Sequence, residues 1–348
     1  MLCCVDRAPS HGGSDDHSPS TARLHGRTRL RGSGAAGRFV GPAAWQGLAH
    51  RISPGGARPV ALESSQWRGF PQGMRELGYV EGRDFIIEWR FAEGRPERLA
   101  GLAADLLRAK VDIVVAGNPQ AIRPVQEASS SMPIVMAIST DPVGTGIIAS
   151  LSRPGGNITG WATSADDTAP KQLELLAMAV PNLSRVGVLW NPDEPNSTPV
   201  PKTAEAAAST AGLQLVPVDT RNLQDIQSAF DVLTKERAQA LMVGGAGGVV
   251  VAQRQLIVDL SLRNRLPTIF AYREYVESGG LMSYGESFQE FNRRTAFYVD
   301  KIIKGAKPAD LPVQQPTRFS VTINLKTAKV LGLTISPNLF ALAEGVIE

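Results

Sequence analysis

From residue 67 onward, short apolar runs alternate with stretches of helical period. MRELGYVEG (74–82) closes an amphipathic helix, DFIIEWRF (84–91) reads as a strand, and residues 95–110 place Leu99, Leu102, Leu106 and Leu107 on one helical face. VDIVVAG (111–117) and PIVMAI (133–138) are short continuous apolar runs, the pattern of strands buried on both faces. NITGWAT (157–163) is a further strand, followed by a helix over 171–180. The pattern then restarts. RVGVLW (185–190), LQLVPVD (213–219), ALMVGG (240–245), PTIFAY (267–272) and GLMSYG (280–285) read as strands. Helices over 198–211, 222–236, 249–264 and 287–303 are interleaved with them. Repeated βα units of this length predict an α/β protein with two doubly wound parallel-sheet lobes joined by a hinge.

Residues 1–66 follow a different pattern. Gly, Pro and Ser fill 23 of these positions, and neither a 3.6 nor a 2.0 period persists. Such a segment buries too little surface to offset its ordering entropy. The Arg-rich stretch 23–31 precedes FVGPAAWQGLA (39–49), which Gly, Pro and Gln interrupt, so no recognisable signal peptide results. We therefore expect residues 1–52 to be a disordered leader, or one that a shifted reading frame has assigned to this chain. On that expectation the first strand of lobe 1 is absent or degraded.

Charge sharpens the division. Eight of the 36 basic and four of the 33 acidic residues lie in 1–66, which leaves 28 against 29 in the rest. A near-neutral body gives no electrostatic reason to expect nucleic-acid binding. Both cysteines (Cys3, Cys4) and all four histidines (His11, His17, His25, His50) also fall in the leader. The body therefore has no Cys/His metal site, no thiol nucleophile and no Ser-His-Asp triad. No enzymatic activity and no cofactor are expected.

In open α/β sheets, ligands bind beyond the carboxyl ends of the strands. The residues at those positions include Asn118, Thr140, Asp141, Thr163, Asn191, Asn196, Ser197, Tyr272 and Arg273. They are mostly neutral hydrogen-bonding groups, suited to holding a polar solute. Asn118-Pro119 also has the form of a helix cap followed by a first-turn proline, and the N–H groups there favour an anion. Arg273 could grip a carboxylate with two parallel hydrogen bonds, or pair with Glu274 or Glu277 at the surface. Asp193 and Glu194 lie between prolines on a turn, and Trp161 and Tyr284 could stack an aromatic ligand or, as the preferred reading, line a hinge. Gly144-Thr145-Gly146-Ile147-Ile148-Ala149 matches a dinucleotide fingerprint in letters only, because Ser139 to Val143 separate it from its strand. It reads instead as a glycine-containing turn and helix start. There is no P-loop.

Four strings carry a resemblance: ELGYVEGRDFIIEWRFAEG (76–94), DPVGTGIIASLSRPGGNITG (141–160), GGLMSYG (279–285) and KGAKPADLPVQQPTRFSVTINLKTAKVLGL (304–333). They resemble the substrate-binding proteins of bacterial ABC transporters, in the branch related to tryptophan/tyrosine-type binding proteins. The resemblance implies a type I periplasmic-binding fold whose crossings fall near 157–163, 280–285 and 311–318. It divides the body into lobe 1 (53–160 plus 284–312) and lobe 2 (161–283 plus 313–348). It also implies a monomeric receptor in the periplasm that hands a small solute, such as an amino acid or aromatic acid, to a membrane permease driven by a separate ATPase. The ligand loops of the family fall on Asn118, Asp141, Asn191, Asn196, Ser197 and Tyr272. For the chain as written, lacking a recognisable export signal, a cytoplasmic location stays open. Two other functions compete: a ligand-sensing transcription regulator of the lac-repressor type, which needs a helix-turn-helix that residues 1–66 do not show, and a nucleotide-dependent α/β enzyme.

Overall fold

A computed structural model describes residues 2–6, 66–92, 95–163, 168–193, 202–244 and 248–348. Its strands form two sheets. The first contains β1 (Leu2–Asp6), β2 (Ile86–Arg90), β3 (Ile113–Ala116), β4 (Ile134–Thr140) and β5 (Ile158–Thr163), in the order β2-β1-β3-β4-β5. Helices α1 (Gly69–Glu76), α2 (Leu99–Arg108) and α3 (Pro119–Ala128) belong with it. Every residue of β3 is buried, as are the first six of β4, so these runs have no polar face to alternate.

The second sheet contains β6 (Arg185–Trp190), β7 (Gln214–Asp219), β8 (Ala240–Val243), β9 (Thr268–Phe270), β10 (Met282–Gly285), β11 (Ser320–Asn324) and β12 (Ala343–Ile347), in the order β12-β11-β10-β9-β8-β6-β7. Helices α4 (Ala169–Ala179), α5 (Lys202–Thr210), α6 (Leu223–Lys235), α7 (Gly248–Ala252), α8 (Arg254–Arg263) and α9 (Arg273–Glu277) connect its strands. The long helix α10 (Phe288–Ile303) leaves this sheet and returns to the first, and α11 (Leu325–Leu331) and α12 (Pro337–Ala341) lie near the carboxyl end of the chain. The helix expected over 249–264 is broken at Gln253 into α7 and α8.

Two expectations are corrected. The leader does not lie wholly outside the fold, because Leu2–Asp6 fills the slot between β2 and β3 and pairs with both. Without it the facing N–H and C=O groups of β2 and β3 would lack ladder partners in mid-sheet, which is costly. The second correction is one of detail only, for the sheets are mainly parallel, as expected, with antiparallel members. β1 runs antiparallel to both neighbours, and β11 runs antiparallel to β10 because it is entered from the first sheet's side.

Helix α10 packs along α1 at very short range. Glycine at two positions one helical turn apart permits it: a Cβ at Gly69 would strike the carbonyl of Gln289, and one at Gly73 the carbonyl of Arg293. Arg293 then spans the seam, 2.6 Å from Glu76 and 2.7 Å from Glu290. The chain passes between the sheets after Thr163 of β5, after Gly285 of β10, and between Gln314 and β11. Before the third passage, residues 311–314 run beside β5. The Ala162 N–H donates to the Gln314 carbonyl at 2.9 Å, and the Thr159 hydroxyl to that of Leu311 at 2.7 Å. The first two passages begin at the carboxyl ends of strands, β5 and β10.

Candidate functional site

At the first sheet's carboxyl end, Asn118 sits in an extended conformation and caps α3. Its Oδ1 accepts from the Ala121 N–H at 2.9 Å. That bond satisfies one of the otherwise unpaired N–H groups of the helix start. Asn118→Ala should therefore cost about 1 kcal/mol of stability, measured by urea unfolding.

Thr140 and Thr163 end the paired strands β4 and β5, half-buried and side by side. Asp141 follows with a φ of 44° and folds its own loop. Its Oδ1 accepts from the Gly144 N–H at 2.9 Å, and its carbonyl accepts from both the N–H and the hydroxyl of Thr145. The glycine-rich segment thus closes as a turn around Asp141. No helix starts there to receive a pyrophosphate.

At the second sheet's carboxyl end, Asn191 is buried, and its Oδ1 accepts from the Asp193 N–H at 3.0 Å. Asp193 is exposed and lies 3.6 Å from Arg221, a surface arrangement. Asn196 and Ser197, with Glu194, lie outside the described residues. Arg273 is half-exposed and pairs with Glu277 at 2.9 Å, the second of its two expected arrangements.

Tyr272 is buried, its ring stacked on Phe288 with centroids 3.9 Å apart and planes inclined by 20°. This contact joins the end of β9 to the start of α10. Burial raises the Tyr272 phenol above its ordinary range, and the charges of Glu274 and Glu286 add to the effect. Glu274 reinforces the junction. Its Oε1 accepts from the Ser287 hydroxyl at 2.8 Å and from the Gln289 N–H at 3.0 Å, while Ser287 itself caps α10.

Burial pushes the Glu274 carboxyl upward, against the lowering effect of its hydrogen bonds. A carboxyl raised in the folded state binds its proton more tightly there than in the unfolded chain. The associated stability is full below the unfolded value near 4.3 and is lost as pH rises through the folded value. Glu274→Gln, which cannot ionise, should therefore gain on the wild type as pH rises from 5 to 8. Calorimetric melting at the two pH values checks this.

Position after a strand, the signal that selected the other candidates, also marks Glu286, which directly follows β10 and was passed over. Glu286 is buried, and its Oε1 accepts from Arg294 at 3.2 Å. Burial raises its carboxyl and Arg294 opposes the shift. Arg294 also donates to Glu290 at 2.7 Å, and its guanidinium carbon stands 5.4 Å from the centre of the Trp161 ring. Trp161, on β5, meets Phe291 and Tyr298 edge-on. Arg294 carries no strand-end signal, because it lies in the second turn of α10, and only packing brings it to this place.

Among the described residues, the buried side-chain polar atoms without a hydrogen-bond partner are Ser139 Oγ, Trp161 Nε1, Glu274 Oε2, Tyr275 Oη, Glu286 Oε2 and Asn292 Oδ1. Each such atom ordinarily costs about 1–3 kcal/mol. Their elements are β4, β5, α9, the end of β10 and α10. Trp161 lies on β5 and Glu286 directly after β10, the strands from which the first two passages leave.

Two α/β units joined by three passages of the chain define a type I periplasmic-binding fold. The chain belongs to the family of ABC transporter substrate binding proteins, whose pattern it matches over residues 61–347. A curated relative, the tyrosine-binding protein of Clostridioides difficile (strain R20291), is 24% identical over 266 residues, covering 76% of each chain. The ABC domain in complex with L-Trp from Streptococcus pneumonia is 28% identical, with a TM-score of 0.72 over 84% of this chain and 97% of that one. A conserved domain protein from Vibrio cholerae O1 biovar eltor is 26% identical, with a TM-score of 0.75 over 82% of this chain and 95% of that one. Family membership favours the receptor over the regulator and the enzyme.

Proposed function

We propose that this chain is the receptor of an ABC importer for an aromatic amino acid, binding it between two lobes that close about the three passages. The observation that carries this is that two buried polar atoms without partners, Trp161 Nε1 and Glu286 Oε2, belong to β5 and to the residue directly after β10, the strands from which the first two passages leave. The relatives named for tyrosine and complexed with L-Trp support the ligand class. On this reading the lobes are the two sheets with their helices, α10 moving with the first. No covalent chemistry takes place. Hydrogen bonds and exclusion of water supply affinity, and closure signals loading to a membrane permease driven by a separate ATPase. The receptor works as a monomer outside the cytoplasmic membrane.

A thermal-shift panel of amino acids, sugars and small carboxylates tests the ligand class. At a hundredfold excess over Kd, a true ligand adds about 2.7 kcal/mol. L-Trp or L-Tyr should raise the melting temperature while galactose leaves it unchanged, and a shift with the sugar alone would reject the assignment.

A further inference from the structure

We propose that Glu286, Arg294 and Trp161 form the head-group site of this receptor, holding the ammonium and carboxylate of a zwitterionic α-amino acid at the passage from β10 to α10. The proposal rests on the amino-acid reading above and adds to it the residues that read the charged end.

Three observations place the site. First, the Arg294 guanidinium lies close to both of the other groups. Its Nη1 is 3.2 Å from Glu286 Oε1, and its central carbon is 5.4 Å from the centre of the Trp161 ring. Carboxylate and indole thereby share one cation as a neighbour. Second, each of the two flanking groups keeps one buried atom unpartnered, Glu286 Oε2 as an acceptor and Trp161 Nε1 as a donor. Both side chains belong to residues more than nine-tenths buried, at 8% and 6% exposure. Arg294 is less covered, at 35%, and presents a cation to the approach. Third, Glu286 occupies the strand end where a ligand of an open α/β sheet is expected.

An acceptor of negative charge, a neutral donor and a cation complement an ammonium and a carboxylate on neighbouring carbons. Glu286 Oε2 would accept from the ammonium, and Arg294 and Trp161 Nε1 would donate to the carboxylate. Arg294 is shared between Glu286 and Glu290, and a zwitterion, being neutral overall, adds no net charge to this group. A ligand lacking either charge leaves one of these groups buried without its partner. Glu286 and Trp161 are themselves buried, and charge-assisted contacts made to buried groups are stronger than those at a surface.

Calorimetric titration of the full chain with L-tryptophan, tryptamine and 3-(indol-3-yl)propionate tests this. The wild type should bind each single-charge analogue at least about tenfold more weakly than L-tryptophan. Glu286→Gln should weaken L-tryptophan by a similar factor and leave indolylpropionate unchanged, and Arg294→Gln should weaken indolylpropionate and leave tryptamine unchanged. Equal binding of all three probes by the wild type would overturn the head-group site, and that comparison needs no variant to fold. Unchanged L-tryptophan affinity in a folded Glu286→Gln would overturn it too, while the receptor reading stood. If the wild type bound neither L-tryptophan nor L-tyrosine but bound another solute in the panel, the amino-acid reading would fall, and the head-group site with it.

Discussion

Gly73→Leu should destabilise the protein by about 3 kcal/mol, at the upper end of what overpacking usually costs. The reason lies in backbone meeting backbone. At Gly73 an added Cβ would enter the space of the Arg293 carbonyl and also crowd Ala296. A flexible neighbour could turn aside, but a helix carbonyl cannot, so α1 and α10 would have to separate. Separation would uncover Phe70 and Met74 of α1, both fully buried, and stretch the Glu76–Arg293–Glu290 bridge. Gly101→Ala is the matching control. Gly101 lies in α2 with open space where its Cβ would stand, so alanine there should stabilise by up to about 1 kcal/mol through helix propensity. Urea unfolding of both variants gives the comparison, and equal stability for the two would remove the close-packed seam from this account.

Tyr272→Ala should cost about 3–4 kcal/mol, the range for deleting a large buried aromatic side chain. It would leave the Phe288 ring facing a cavity at the one stacked contact between β9's end and α10's start. Tyr272→Phe keeps the ring, the volume and the stack, and should stay within about 1 kcal/mol of the wild type. The pair separates two roles that coincide at this residue. If Tyr272 chiefly fixes the junction, the phenylalanine variant should retain ligand affinity as well as stability. Loss of affinity at unchanged stability would place its hydroxyl on the ligand instead.

The chain's alternation made much of this architecture readable. Runs such as IVVA of β3 need burial on both faces, and Asn118-Pro119 carries its helix start in two letters. The antiparallel β1 was not readable, since LCCVD is five residues long and its place depends on β2 and β3 leaving a slot more than 80 residues away. β12, with alternate positions half-covered on a sheet edge, gave no buried run to detect.

For the candidate site, the rule of looking after each strand selected Tyr272 as a ligand residue but said nothing of its stack on Phe288. It also selected Asn191 and Asp141, whose side chains serve their own turns. Glu286 obeys the same rule but is not among those candidates, which are mostly neutral groups. Arg294 was beyond any local pattern, because its meeting with Trp161 depends on α10 crossing from one sheet to the other.

Closure around an aromatic amino acid is the central claim, and small-angle X-ray scattering of the full chain with and without saturating L-tryptophan tests it most directly. The radius of gyration should fall on addition of the ligand, as two lobes swing together about the three passages, and should stay unchanged with galactose. An unchanged radius with L-tryptophan, at a concentration where calorimetry shows the site filled, would contradict the claim.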